Sequence, residues 1–140
     1  MSSTLDVLTR EECFRYLGTV PVGRLAVATL ENGPLVVPVN FVLDGEVVVF
    51  RSDPGTKMRL LRGNPVSFEV DFVDPFHRTG WSVLLRGFAY EATPWEVEHL
   101  PVDPWPDGER HHWVRLVPSE VSGRRLQHVM ELTGDSRGYL

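Results

Sequence analysis

The chain has 140 residues, 42% of them hydrophobic and 24% charged, the make-up of one globular domain with a core of its own. Fourteen basic against nineteen acidic residues leave a net charge of -5, which speaks against non-specific nucleic-acid binding and leaves room only for a local basic pocket. A single cysteine excludes an internal disulfide and a cysteine-based zinc site, and no run approaches the roughly 20 apolar residues of a membrane helix. With no signal-peptide pattern either, the expectation is a cytoplasmic protein.

Thr9-Arg10-Glu11-Glu12 is a capping box, Thr9 the N-cap and Glu12 three residues on, and it predicts a short helix ending at Gly18. Cys13, Phe14 and Leu17 share one side of it, so the helix should plug or cover something larger, with Cys13 as a small buried hydrophobe. From Val22 the period switches to two. Residues 22–29 and 35–43 read as strands around the turn Glu31-Asn32-Gly33-Pro34, and Asp44-Gly45 signals a tight hairpin into a strand over 46–51.

Ser52-Asp53-Pro54-Gly55 breaks that strand, and Met58 and Leu61, three apart, predict a short helix over 56–62 with Asp53 as N-cap. A helix start leaves backbone N–H groups unpaired and carries partial positive charge, which suits a phosphate. Arg51 offers a bidentate guanidinium, Lys57 a point charge, and Ser52 or Thr56 a hydroxyl. The competing reading is a strand-end arginine, a solvated lysine and ordinary turn residues, and spacing alone favours it. The order Gly55-Thr56-Lys57 is not that of a Walker loop.

Gly63-Asn64-Pro65 restarts the chain into a strand with Val66, Phe68, Val70 and Phe72 on one face and Ser67, Glu69 and Asp71 on the other. A loop over 74–79 leads to a long strand from Trp81 to Glu91, in which Gly87 marks a bulge or bend. Thr93-Pro94 opens a helical piece with Trp95, Val97 and Leu100. A proline-rich loop over 101–108 precedes a sixth strand over 112–117, with an extension over 121–126 and a fraying tail from Glu131. Six strands joined by tight turns predict a mainly β protein, an antiparallel barrel with a few short peripheral helices; the turns leave no room for the crossover helices of a doubly wound sheet.

No catalytic constellation stands out. Asp71 and Asp74 flank a strand end, where solvated carboxylates are common, and His77, His99, His111 and His112 do not fall at metal-binding spacings. Trp81, after Gly80 and beside Ser82, has a ring suited to stacking on a ligand, as do Trp105 and Trp113; most such tryptophans are core or interface residues.

Taken together, Val22-Gly23-Arg24-Leu25-Ala26 after an N-terminal helix, Val37-Pro38-Val39-Asn40-Phe41, Phe50-Arg51-Ser52 with Gly55-Thr56-Lys57, Gly80-Trp81-Ser82-Val83, and the late Val117-Pro118 to Gly123-Arg124 segment resemble the flavin-binding split barrels. These are the small bacterial relatives of pyridoxamine 5′-phosphate oxidase, including the nitroimidazole-resistance branch. The likeness spans residues 8–126 of a single domain over 1–140, with 127–140 as a tail. It implies a six-stranded split barrel that forms a homodimer with FMN held between the subunits. Carried over by residue, Arg51, Ser52 and Lys57 match the positions that hold the flavin phosphate, and Phe50 beside them is counted among the cofactor-binding residues. Val39 and Asn40 match the strand along the ring, and Trp81 and Ser82 match positions that reach the flavin from the other subunit. The implied function is an FMN-dependent oxidoreductase of an unknown small molecule, with NAD(P)H or another reductant as partner. The alternative is a non-catalytic carrier of flavin, the deazaflavin cofactor or haem. Vitamin B6 oxidation is disfavoured, because Ser122-Gly123-Arg124-Arg125-Leu126 is followed by a short tail without the arginine and histidine of the true oxidases.

Overall fold

The computed structural model describes residues 3–52, 61, 63–100 and 112–128. They form seven strands, β1 (Ser3–Val7), β2 (Val22–Thr29), β3 (Gly33–Asp44), β4 (Val47–Ser52), β5 (Pro65–Asp74), β6 (Thr79–Glu91) and β7 (His112–His128), and two helices, α1 (Arg10–Leu17) and α2 (Pro94–Val97). Every strand pairing is antiparallel, in the order β1-β7-β4-β3-β2-β5-β6, and a further pairing of β6 with β7 closes six strands into a ring. The barrel read from the turns is therefore present, and closure leaves the six strands few free edges.

Local chemistry explains most of the path. The Thr9 side chain accepts from the Glu12 amide while the Glu12 carboxylate accepts from the Thr9 amide, so the capping box that opens α1 is reciprocal. Gly45, at a φ of 58°, supplies the left-handed turn between Asp44 and Val47. At Gly87 the β6–β7 register slips by one residue, and a side chain there would collide with the Val117 carbonyl, which is why the bulge sits on a glycine. α2 repeats the capping box with Thr93 and Glu96, with Pro94 as its first residue.

The core fills the ring with Leu25, Phe41, Val48, Phe50, Phe68, Val70, Val83, Leu85, Val114 and Leu116, and α1 closes one end by burying Cys13 and Leu17 in the same cluster. Cys13 is a packed hydrophobe, and burial pushes its thiol above the usual range. Two details differ from the sequence reading. β1 was not expected; it forms because β7 runs past the barrel and offers Arg124–His128 as a template after β4 has stopped pairing at Leu116. Phe72, in phase with Val66, Phe68 and Val70, is 53% exposed: the pairing of β5 with β2 ends at Glu69, so no β2 residue flanks it, although Trp81 opposite it on β6 is still core. No helix among the described residues is long and apolar enough to cross a membrane.

Candidate functional site

The candidate cleft begins where β4 leaves β3. Pairing with β4 starts at Phe41, opposite Phe50, so β3 from Gly33 to Asn40 has β2 on one side and no registered strand partner on the other among the described residues. The Phe41 amide donates to the Pro21 carbonyl at 3.1 Å, so odd-numbered β3 residues turn their backbone groups toward β2 and even-numbered ones turn away. Pro34 and Pro38 are even-numbered. They lack an N–H where none is needed for the β2 ladder, and they blunt the open edge against strand pairing. That edge presents the carbonyls of Pro34, Val36 and Pro38 and the Val36 amide, a backbone surface suited to a planar heterocycle with alternating donors and acceptors.

The predicted residues fall in two groups, one where β4 leaves β3 and one on β6. Val39 is half-buried and Asn40 exposed; they come just before Phe41, the first β3 residue paired with β4, as Arg51 and Ser52 come just after its partner Phe50. Phe50 is 1% exposed, so its ring belongs to the core and only its backbone borders the cleft. Arg51 is half-buried and pairs across to Trp113, and Ser52 pairs with His112. Lys57 and the turn and helix start expected over 53–60 lie outside the described residues, as do Trp105 and His111. Leu61, expected on that helix, is buried.

Trp81 and Ser82 sit on β6, opposite Phe72 and Asp71 on one side and Arg125 and Arg124 on the other, so one protomer does not bring them to Arg51. The Trp81 ring is 7% exposed and packs on Tyr16 of α1 with centroids 5.0 Å apart. Arg125 donates to the Tyr16 hydroxyl at 3.2 Å and pairs with Asp6 at 3.5 Å, tying α1, β1 and β7 together behind the tryptophan. By alternation Ser82 points the other way, to the outer face, and it is the member of this pair presented outward.

The remaining titratable groups take structural roles. Asp74 accepts from the amides of Phe76 and His77, both at 3.1 Å, and meets the His77 ring at 2.6 Å; these bonds close the β5–β6 turn and hold its carboxyl below the usual range. His112 meets Glu91 at 2.6 Å, and His99 lies 3.6 Å from Asp44. No metal-binding cluster occurs among the described residues. An open hollow of about 470 Å³ beside α2 is lined by Trp95, Glu98 and His99, none of which borders the β3 edge in the strand register.

One constellation escaped the sequence reading. Arg24 of β2 reaches both Glu69 and Asp71 of β5, with Nη1 3.1 and 3.3 Å from their carboxylate oxygens. Desolvation, and then the neighbouring Asp71 carboxylate, push Glu69 up to about 7. Alternation did place Glu69 and Asp71 together, but their arginine comes from a strand some 45 residues away.

A pyridoxamine 5′-phosphate oxidase family model matches residues 9–125. The chain is 33% identical over 128 residues to an uncharacterised protein of Mycobacterium tuberculosis, covering 85% of this chain and 84% of that one. Its fold superposes on a protein from Mycobacterium smegmatis described as FAD-binding, with a TM-score of 0.78 and 33% identity, covering 89% of this chain and all of the other. A nitroimidazole antibiotic resistance protein of Bacteroides thetaiotaomicron shares the fold at a TM-score of 0.68 and 17% identity, covering 90% of each chain. The closed ring, the edge left open where β4 departs, and a match over most of the chain agree: this protein belongs to the pyridoxamine 5′-phosphate oxidase family.

Proposed function

We propose that the chain is a homodimeric flavin-dependent oxidoreductase acting on a small molecule, with FMN lying along the open edge of β3. The carrying observation is that edge: backbone donors and acceptors turned away from β2, ending beside Arg51 and Ser52. Such a surface fits the polar rim of an isoalloxazine, and the Arg51 guanidinium at the end of β4 fits a phosphate. The similarity to an FAD-binding protein supports the flavin class. Hydride or electron transfer would be supplied by the flavin when bound; the chain binds it, orients it and shields one face. This division of labour accounts for the lack of an acid–base pair at the edge among the described residues. Ser82, outward on β6 and remote from Arg51 within one protomer, is the residue to reach across from a second copy.

Titration of the purified chain with FMN and FAD, followed by absorption and fluorescence, tests the binding. Reduction of the bound flavin by NAD(P)H and reoxidation by an added acceptor tests turnover. Arg51→Ala is expected to weaken flavin binding by about 1.5–3 kcal/mol, the worth of a lost charge-assisted hydrogen bond. Binding of deazaflavin or haem in place of either flavin would replace the cofactor assignment. Refusal of all four would refute the functional reading while leaving the fold untouched.

A further inference from the structure

We propose that His112, held in place by Glu91, reads the terminal phosphate of the flavin: its Nε2 shares a hydrogen bond with a phosphate monoester bound at the end of β4. The consequence is selectivity for a mononucleotide such as FMN. The inference rests on the flavin reading, in which Arg51 and Ser52 border the phosphate, and adds to it a further residue and the ligand feature that residue recognises.

Two ladders place the histidine. His112 is the first residue of β7 and stands opposite Ser52, the last of β4, with Trp113 opposite Arg51. Cα atoms directly opposite in an antiparallel pair lie roughly 4.5–5.5 Å apart, within the span of an imidazole side chain, so a ligand oxygen held at the end of β4 is within reach of the ring. Along β7, Val114 and Leu116 are fully buried, and His112 continues their inward row at the rim of the barrel. On the other side of β7, Glu91 pairs with Val114, and the Ala92 amide extends the β6–β7 ladder by donating to the Trp113 carbonyl at 2.7 Å. Glu91 is thereby set diagonally beside His112, and its Oε1 meets Nδ1 at 2.6 Å. The two side chains are 37% and 35% exposed, so the pair is partly sunk and still open to a ligand.

The contact with Glu91 assigns the ring's two nitrogens. A carboxylate at that distance requires an N–H on Nδ1, which leaves Nε2 as a lone pair in the neutral ring and as a second donor in the protonated one. Nε2 has no polar partner among the described residues. A carboxylate behind a ligand-binding imidazole fixes its orientation and strengthens its basicity, as it does for the histidines of metal sites. A phosphate monoester loses its second proton at a pH of about 6, so one proton serves both partners. Either the imidazolium donates to the dianion, or the P–OH of the monoanion donates to Nε2, and the hydrogen bond persists in both states. Riboflavin has no phosphate, and the phosphates of FAD are bridged at both ends and lack that proton. Arg115, the next charged residue of β7, lies on the outer row and is engaged by Asp44 and Glu96, so it does not duplicate the role.

Fluorescence titration of the full chain with FMN, FAD and riboflavin, in wild type, His112→Ala and Glu91→Gln, tests the assignment, with circular dichroism as a fold control. Wild type is expected to prefer FMN to both other flavins. His112→Ala should lower the preference for FMN over riboflavin by about 10-fold or more, the worth of a hydrogen bond to a charged group, with the loss falling on FMN and not on riboflavin. Glu91→Gln keeps an acceptor for the Nδ1 proton but not its charge, so it should lower the same preference by a smaller factor. A loss that is equal for FMN and riboflavin in both variants, or an FMN affinity unchanged in both, makes the pair a structural one and overturns the inference while the flavin reading stands. Wild-type binding of riboflavin or FAD as tight as that of FMN overturns it as well. A wild-type chain that binds none of the three overturns the flavin reading and this inference with it.

Discussion

Gly23 is the position where one methyl group should cost most. It sits on β2 with its Cα facing the core, in the segment Val22-Gly23-Arg24 that also sets the outer face. A Cβ built there falls within the Phe68 ring, 2.8 Å from Cε2, and 2.9 Å from Cγ2 of Val70. Neither neighbour has space to yield: both are fully buried, and the Phe68 ring is fixed edge-on against Phe41 with centroids 5.0 Å apart at 79°. Overpacking of this kind costs about 1–3 kcal/mol, and the rigid ring puts Gly23→Ala toward the upper end. Loss of glycine's unfolded-state freedom returns about 0.4–1 kcal/mol. The expected net loss is therefore about 2 kcal/mol, or roughly 5–10 °C in melting temperature for a domain of this size. Urea and thermal unfolding of the variant measure it. The diagnostic is the pair Gly23→Ala/Phe68→Leu: trimming the ring makes room for the methyl, so the double variant should be at least about 1 kcal/mol more stable than the sum of the two single losses. Additive losses, or a Gly23→Ala chain within about 0.5 kcal/mol of wild type, would refute the steric account.

Three further outcomes follow from the same structure. Val36→Pro should fold with a melting temperature near wild type, since its amide points to the open edge as do the positions of Pro34 and Pro38, whereas Val37→Pro breaks a β2–β3 ladder bond and should lose about 1–3 kcal/mol; equal losses by calorimetry would mean the edge direction is misassigned. Arg115→Ala removes the partner of Asp44, at 2.6 Å, and of Glu96, at 3.1 Å, and should lower the melting temperature at pH 7. Because Arg115 holds the Asp44 carboxyl below its usual range, that stabilisation is present above about pH 4 and lost as pH falls through the depressed value, so the gap between wild type and variant should narrow on acidification; a gap independent of pH would discount the pair. Glu69 carries the opposite sign: its folded-state value lies above the unfolded one, so its contribution is complete in acid and is lost as pH rises toward and through about 7. Glu69→Gln should therefore gain stability relative to wild type at pH 8 and not at pH 4, read from melting curves at each pH.

What was legible in the sequence is what short-range chemistry decides. Thr9 and Glu12 lie one helical turn apart, Asp44-Gly45 opens a hairpin whose two turn residues are Gly45 and Glu46, and the alternation of Val66, Phe68 and Val70 needs only its own strand; all three were readable and all three appear in the fold. Phe72 shows where alternation stops being informative, because the pattern continues for one step after β2 has stopped flanking the strand. β1 and the Arg24 cluster show the other boundary. Leu5 and Val7 gain their strand from an edge supplied by residues more than a hundred positions later, and Glu69 gains its arginine from a non-consecutive strand. The two halves of the candidate site divide the same way. Val39, Asn40, Arg51 and Ser52 flank Phe41 and Phe50, the last registered pair of one hairpin, so their neighbourhood could be read from the turn. Trp81 and Ser82 turn in and out by the alternation of β6 itself, in phase with buried Val83 and Leu85; what comes from far along the chain is Tyr16 against the ring and Arg125 opposite it on β7.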